Sequence, residues 1–130
     1  MIADTTVLVD LLRGDEAAQG EVRRLESTGG ILWVPTPAVF ELWEGVERAD
    51  RPDEEARRID AVLGDYTVLA FERRHAARAG RVSGALLRRG TMLDPLDAQI
   101  AGMALEERLP VLTRNTRHFE RVPGLEVATY

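Results

Sequence analysis

The chain contains neither cysteine nor lysine. Without cysteine there is no disulfide framework and no thiolate metal site. Without lysine there is no amine for Schiff-base chemistry and no Gly-Lys-Ser/Thr phosphate loop. No apolar run approaches the roughly 20 residues a membrane-spanning helix needs. The chain opens directly on an apolar strand, with no basic stretch before it, so no secretory leader is expected and a cytoplasmic location is the default. Repeats, low-complexity segments and linkers are also lacking, and residues 1–130 read as a single domain.

What is present is a core-forming composition, 45% hydrophobic and 30% charged. All seventeen basic residues are arginine, against 22 acids, for a net charge of -5. That balance argues against a protein that coats nucleic acid. It leaves room for a nuclease, because bound metal ions supply local positive charge.

Hydrophobic periodicity divides the chain into alternating strands and helices. Met1–Ala3 is a short buried strand ending at Asp4, and Val7, Leu8, Leu11 and Leu12 mark the helix that leaves from it. Asp4 is either that helix's cap or a functional acid, since ligands bind beyond the carboxyl ends of strands in open α/β sheets. An amphipathic helix covers Ala17–Glu26 and stops at Gly29-Gly30. Ile31–Val34 is the second strand; Thr36 then caps a helix with Pro37 at its first position. On that helix Val39, Leu42, Trp43 and Val46 are expected in the core, Glu41 to one side, and Phe40 and Glu44 roughly opposite. Ala56, Ile59, Val62 and Leu63 mark a fourth helix, Tyr66–Leu69 a third strand, and Glu72–Arg89 a long helix with Ala76, Ala79, Val82, Leu86 and Leu87 inward. His75 is expected on its surface. Asp94 caps the next helix, with Pro95 at its first position and Asp97 at its third, where an acid favours the helix dipole. Small residues along Ala98–Leu105 are expected to pack closely on a sheet. Val111-Leu112 is a fourth strand, Thr113–Thr116 a turn into a short helix through Phe119, and Leu125–Ala128 a fifth strand. The pattern implies a three-layer α/β/α sandwich around a mostly parallel sheet of about five strands.

Three acids have comparable addresses: Asp4 after the first strand, Glu41 one turn into the helix after the second, and Asp97 in the first turn of the helix before the fourth. Asn115 follows the fourth strand. In a parallel sheet these positions can converge at one edge. Carboxylates without histidine or cysteine partners suit hard cations such as Mg²⁺ or Mn²⁺. Other carboxylate sites fit poorly. A receiver domain and a haloacid-dehalogenase-type phosphatase each need a lysine, and there is no Gly-x-Ser-x-Gly elbow for a serine hydrolase.

Four stretches together resemble the PIN-domain ribonucleases and, among them, the VapC toxins of type II toxin–antitoxin modules. They are Ile2-Ala3-Asp4-Thr5-Thr6 through Gly14, Thr36-Pro37-Ala38-Val39-Phe40-Glu41-Leu42, Asp94-Pro95-Leu96-Asp97-Ala98-Gln99-Ile100-Ala101, and Leu112-Thr113-Arg114-Asn115-Thr116-Arg117-His118-Phe119 followed by Val122–Leu125. The resemblance implies a PIN-like fold and an endoribonuclease dependent on Mg²⁺ or Mn²⁺. It also implies an RNA substrate, a cognate antitoxin that blocks the site, and a homodimer. Asp4, Glu41 and Asp97 are then the metal-binding and catalytic acids, with Asn115 a further candidate ligand and Thr5 and Thr113 orienting the carboxylates. Arg13, Arg114 and Arg117 are candidate phosphate contacts. The chain departs from the family where a fourth acid is common, since Asn115 and His118 stand there. An RNA-maturation nuclease without an antitoxin and a non-catalytic PIN-fold binding module are the competing readings. Asp94 is otherwise a cap, Asp10 and Glu44 solvated helix positions, and Trp33, Phe40 and Trp43 core or interface.

Overall fold

A computed structural model describes residues 1–130. In chain order the elements are β1 (Ile2–Ala3), α1 (Thr5–Leu12), α2 (Glu16–Ser27), β2 (Trp33–Pro35), α3 (Thr36–Arg48), α4 (Pro52–Leu63), β3 (Thr67–Leu69), α5 (Arg73–Arg88), α6 (Pro95–Glu107), β4 (Val111–Leu112), α7 (Thr116–Glu120) and β5 (Val127–Ala128). The five strands form one parallel sheet in the order β3-β2-β1-β4-β5. Parallel neighbours need crossover connections, and the helices that make them cover both faces of the sheet. Ile2, Ala3, Val111 and Leu112, the residues of β1 and β4, are therefore fully buried. No helix is long and apolar enough to cross a membrane.

The strand order creates the site. From β1 the chain moves outward to β2 and β3, then returns through α5 and α6 to β4 and β5 on the other side. Connections leaving β1 and β4 diverge, and a crevice opens beyond their carboxyl ends. Asp4 is the residue after β1 and Thr113 the residue after β4, at adjacent points of that edge.

Three expectations about the helices are corrected, two about buried faces and one about a cap. On α3 the buried residues are Pro37, Ala38, Leu42 and Val46. At about 100° per residue, Trp43 falls well to one flank of the Ala38–Leu42–Val46 stripe, where it is 39% exposed and outside the core. Glu41 falls on the other flank, toward the crevice. Thr36 is not the α3 cap: Pro35 holds that position, and Thr36 Oγ1 accepts a hydrogen bond from the backbone N–H of Phe71 at 3.0 Å. On α5 the buried stripe is His75, Ala79 and Leu86, with Val82 half-buried, while Ala76 and Leu87 face solvent.

His75 is fully buried, contrary to its expected surface position. Its Nδ1 accepts from the backbone N–H of Glu72 at 2.9 Å, and its Nε2 lies 2.7 Å from Glu107 Oε1. Accepting at Nδ1 leaves the ring proton on Nε2 for Glu107. The imidazole thus caps the start of α5 and ties it to the end of α6. Gly102 shows how closely these helices approach. A Cβ there would lie 2.6 Å from the Ala79 nitrogen and 2.7 Å from its Cα. At this point the small residue of α6 admits the α5 backbone, whereas its sequence suggested contact with the sheet.

Candidate active site

Asp4 is both a cap and part of the crevice. It is buried, with 4% exposure, and both carboxylate oxygens are held. Oδ1 accepts from the Thr5 backbone N–H at 2.7 Å; Oδ2 accepts from the hydroxyls of Thr113 at 2.7 Å and Thr6 at 2.9 Å. Charge-assisted bonds of this length fix a carboxylate firmly. Thr113, fully buried, also accepts from the Asn115 backbone N–H at 2.8 Å, so one hydroxyl links the ends of β1 and β4. Thr5 Oγ1 donates to Glu41 Oε1 at 2.8 Å, joining α1 to α3.

Asp97 projects from the first turn of α6. Asp94 caps that helix through the Leu96 N–H at 3.0 Å, and Pro95 opens it. From α7, His118 Nδ1 approaches Asp97 Oδ2 at 2.7 Å and Asn115 Nδ2 at 2.9 Å. A single ring nitrogen cannot donate to one and accept from the other. The carboxylate is the stronger acceptor, so we assign the Nδ1 proton to Asp97, and with that assignment the Asn115 amide fits this edge through its oxygen.

Asp4, Glu41, Asp97 and Asn115 all line one cleft of about 660 Å³, together with Thr5, Thr6, Asp10, Arg13, Glu44, Asp94, Arg114 and His118. Six of these residues are carboxylates and two are arginines. Such crowding shows in the acids themselves. Burial, and then the charges of Asp4, Asp97 and Asp94, raise the Glu41 pKa against the opposing Thr5 hydrogen bond. Burial also raises that of Asp97, with the Asp4 and Asp94 charges adding to it and His118 opposing. Half-buried acids that repel one another fit a cation better than they fit an empty cleft. An all-oxygen donor set of this kind suits a hard divalent ion. In the arrangement present, no three of the acids converge closely enough to enclose an ion, because each is turned toward its own hydroxyl or imidazole partner.

The arginines separate into three cases. Arg13 lines the cleft and has no carboxylate partner. Arg114 also lines it but is held by Asp10, Asp15 and Tyr130. Arg117 is exposed on α7 and is not among the residues that line the cleft. Asp10 and Glu44, read as solvated helix positions, line the cleft as well. Sequence reasoning missed Thr6, whose hydroxyl supports Asp4, and gave no hint of Asp15 or Tyr130 at this margin. Thr6 stood beside Asp4 in a capping context and was accessible to reasoning; the Tyr130 contact spans 120 residues and was not.

A second groove, of about 390 Å³, runs between α1, α3 and α4 and shares Thr5, Val9, Arg13 and Glu41 with the cleft. Leu12, Leu42 and Ile59 contribute to its apolar lining. On α3, Phe40 and Trp43 are exposed at 56% and 39%, whereas Trp33 is half-buried.

Comparison with known proteins agrees with this geometry. The model of the family described as PIN domain matches residues 1–125. The chain is 30% identical over 122 residues, 94% of its length and 91% of the relative's, to the tRNA(fMet)-specific endonuclease VapC of Shigella flexneri. The structure of DNA-bound VapBC from Salmonella typhimurium superposes with a TM-score of 0.90 at 26% identity, covering 98% of this chain and 96% of that one. VapBC2 from Rickettsia felis, bound to a promoter DNA fragment, shares the fold with a TM-score of 0.92 at 18% identity, covering 99% and 97%.

Proposed function

The chain belongs to the PIN domain family, and we propose that it is the endoribonuclease toxin of a type II toxin–antitoxin pair, using a divalent cation to hydrolyse RNA phosphodiester bonds. The observation that carries this reading is that Asp4, Glu41 and Asp97, from three separate elements, all line one acidic cleft at the sheet's switch point. These three carboxylates would hold Mg²⁺ or Mn²⁺, with the Asn115 amide oxygen as a neutral fourth donor. A bound divalent cation supplies Lewis acidity and neutralises charge at the reacting phosphoryl group.

The chain's own residues prepare that chemistry. Thr113 and Thr6 orient the Asp4 carboxylate, and Thr5 orients Glu41. Supporting hydroxyls of this kind set the direction of ligand lone pairs. His118 occupies one oxygen of Asp97 and must yield or rotate for that oxygen to serve as a ligand. Arg13, which lines the cleft without a carboxylate partner, offers positive charge to the RNA backbone at the cleft's margin. An antitoxin segment seated in the apolar groove would reach the active site directly, because the groove shares Glu41 and Thr5 with it. Exposed Phe40 and Trp43 provide further apolar surface for the antitoxin or for a second protomer. A toxin that cleaves cellular RNA would work in the cytoplasm, where that RNA is.

Incubating the purified chain with total RNA and with tRNA, in Mg²⁺, in Mn²⁺ and in chelator, tests the reading. We expect discrete fragments only with the metals. Asp4→Asn, Glu41→Gln and Asp97→Asn should each abolish cleavage while leaving the circular dichroism spectrum unchanged. Cleavage that survives chelation, or a near-normal rate in any of the three variants, refutes the assigned site.

A further inference from the structure

The three acids and their hydroxyl partners leave a second cluster at the cleft margin unexplained. Arg114 follows Thr113 directly, and its backbone N–H donates to Thr6 Oγ1 at 3.2 Å. Its Nε lies 2.8 Å from Asp10 Oδ2 and its Nη2 lies 2.9 Å from Asp15 Oδ2. The Tyr130 ring lies against the guanidinium, 4.8 Å from Cζ, in cation–π geometry. The Tyr130 hydroxyl donates to the same Asp10 oxygen at 2.7 Å. Burial first, and then that hydrogen bond, raise the phenol's pKa, so it stays a donor at neutral pH.

This arrangement does more than fasten the chain end to α1. A side chain held by two acids and a ring from separate segments has lost the rotamer freedom usual for arginine. Yet it remains 45% exposed and lines the acidic cleft. A guanidinium carries five N–H donors in a planar fork, and the carboxylates engage two of its three nitrogens, so donors remain for another anion. The fork matches a phosphate. Asp10, meanwhile, shares the Arg114 charge with Asp15 and accepts from the Tyr130 hydroxyl, so part of its repulsion toward an incoming polyanion is offset.

We propose that Arg114 contacts an RNA backbone phosphate, with Asp10, Asp15 and Tyr130 as the positioning residues that hold its guanidinium at the cleft. The inference rests on the ribonuclease reading. Its test is steady-state cleavage, in Mg²⁺, of an end-labelled RNA oligonucleotide carrying a junction that the unaltered chain cuts in total RNA. Arg114→Ala should raise KM about ten-fold and change kcat less than about two-fold, as expected for lost uniform binding. Arg114→Lys, retaining charge without the fork, should recover part of the loss. Tyr130→Ala should raise KM several-fold, Tyr130→Phe less. Neither should add to the effect in an Arg114→Ala background, because residues acting through one group are not additive. A purely structural clamp would instead lower the melting temperature and leave KM unchanged. An unaltered KM in Arg114→Ala, or a Tyr130→Ala effect that persists undiminished in the Arg114→Ala background, overturns the inference alone. Absence of any RNA cleavage by the unaltered chain overturns the ribonuclease reading and this inference together. If Tyr130→Ala does not fold, Tyr130→Phe and Asp15→Asn carry the same coupling test.

Discussion

Replacing Thr113 by valine should separate the hydroxyl's part in the fold from that of its shape. The side chain is fully buried, donates to Asp4 Oδ2 at 2.7 Å and accepts from the Asn115 N–H at 2.8 Å. Valine fills almost the same volume but can do neither. Losing a hydrogen bond to a charged group costs roughly 1.5–3 kcal/mol, and stranding the partly buried Asn115 N–H adds about 1 kcal/mol. The total is roughly 3 kcal/mol, a large share of a typical domain's stability of about 5–15 kcal/mol. For a domain of this size that corresponds to a fall of roughly 10 °C in melting temperature. Thr113→Ser keeps both bonds and loses one methyl group, about 1 kcal/mol. Urea denaturation followed by circular dichroism should therefore rank the proteins as unaltered, then serine, then valine, with about 2 kcal/mol between the variants. Cleavage should follow the hydroxyl: near normal in Thr113→Ser and strongly reduced in Thr113→Val, where Asp4 loses one of its three donors. Equal stability and activity in the two variants would show that the hydroxyl link between β1 and β4 contributes nothing.

Four further outcomes follow from the same geometry. Burial first, and neighbouring carboxylates after it, raise the Glu41 and Asp97 pKa values and so disfavour their charged forms, and Glu41→Gln and Asp97→Asn should therefore raise the metal-free melting temperature at pH 7 while removing the increase that Mg²⁺ gives the unaltered chain; a lower metal-free value in both argues against this burial and crowding. His118→Asp puts a carboxylate on α7 where the imidazole Nδ1 now reaches Asp97 Oδ2 at 2.7 Å, so calorimetric titration should show tighter Mg²⁺ binding, and equal or weaker binding would place the new acid outside the cation's reach. Phe40→Asp should weaken either antitoxin binding or self-association measured by light scattering, and no change in both removes the α3 face from consideration. Gly102→Ala drives a Cβ to 2.6 Å from the Ala79 nitrogen and should destabilise the chain by roughly 1–3 kcal/mol, whereas Gly80→Ala on α5, with nothing within 4 Å, should stabilise it by up to about 1 kcal/mol; chemical denaturation of the pair reads out the opposite signs.

Much of the fold was legible because backbone periodicity is a local property. Apolar runs ending at Asp4, Pro35 and Thr113 located three strands, and the Asp94-Pro95 cap located the start of α6 to the residue. The strands proved shorter than their apolar runs: pairing begins at Trp33 where apolar character begins at Ile31, and at Val127 where it begins at Leu125. Apolar character reports burial, while a strand also requires a partner at the right register. Helix faces were less secure. Trp43, Ala76 and Leu87 lie within one or two residues of the true core stripes, and a hydrophobic residue near the edge of a stripe is buried or exposed according to what packs beside it. His75 was misplaced for a related reason: nothing local to a histidine among arginines announces that Glu107, 32 residues later, will meet its Nε2.

The amino-acid sequence by itself determined the chemistry available to this protein. With no cysteine, no lysine and acids placed after strands and at helix starts, it favoured a carboxylate-based site over thiolate, amine or phosphate-loop chemistry, and its four motifs resemble those of the PIN-domain ribonucleases. Tertiary structure alone decided which residues support those acids and which do not. It brought Thr113 to Asp4 across 109 positions, set His118 against Asp97, and clamped Arg114 at the cleft while leaving Arg117 off its lining. The physical reason is that the acids' positions follow from strand ends and helix caps, which are set by neighbours a few residues away. Their partners are selected by the order in which the strands assemble, and that order results from the packing of the whole sheet.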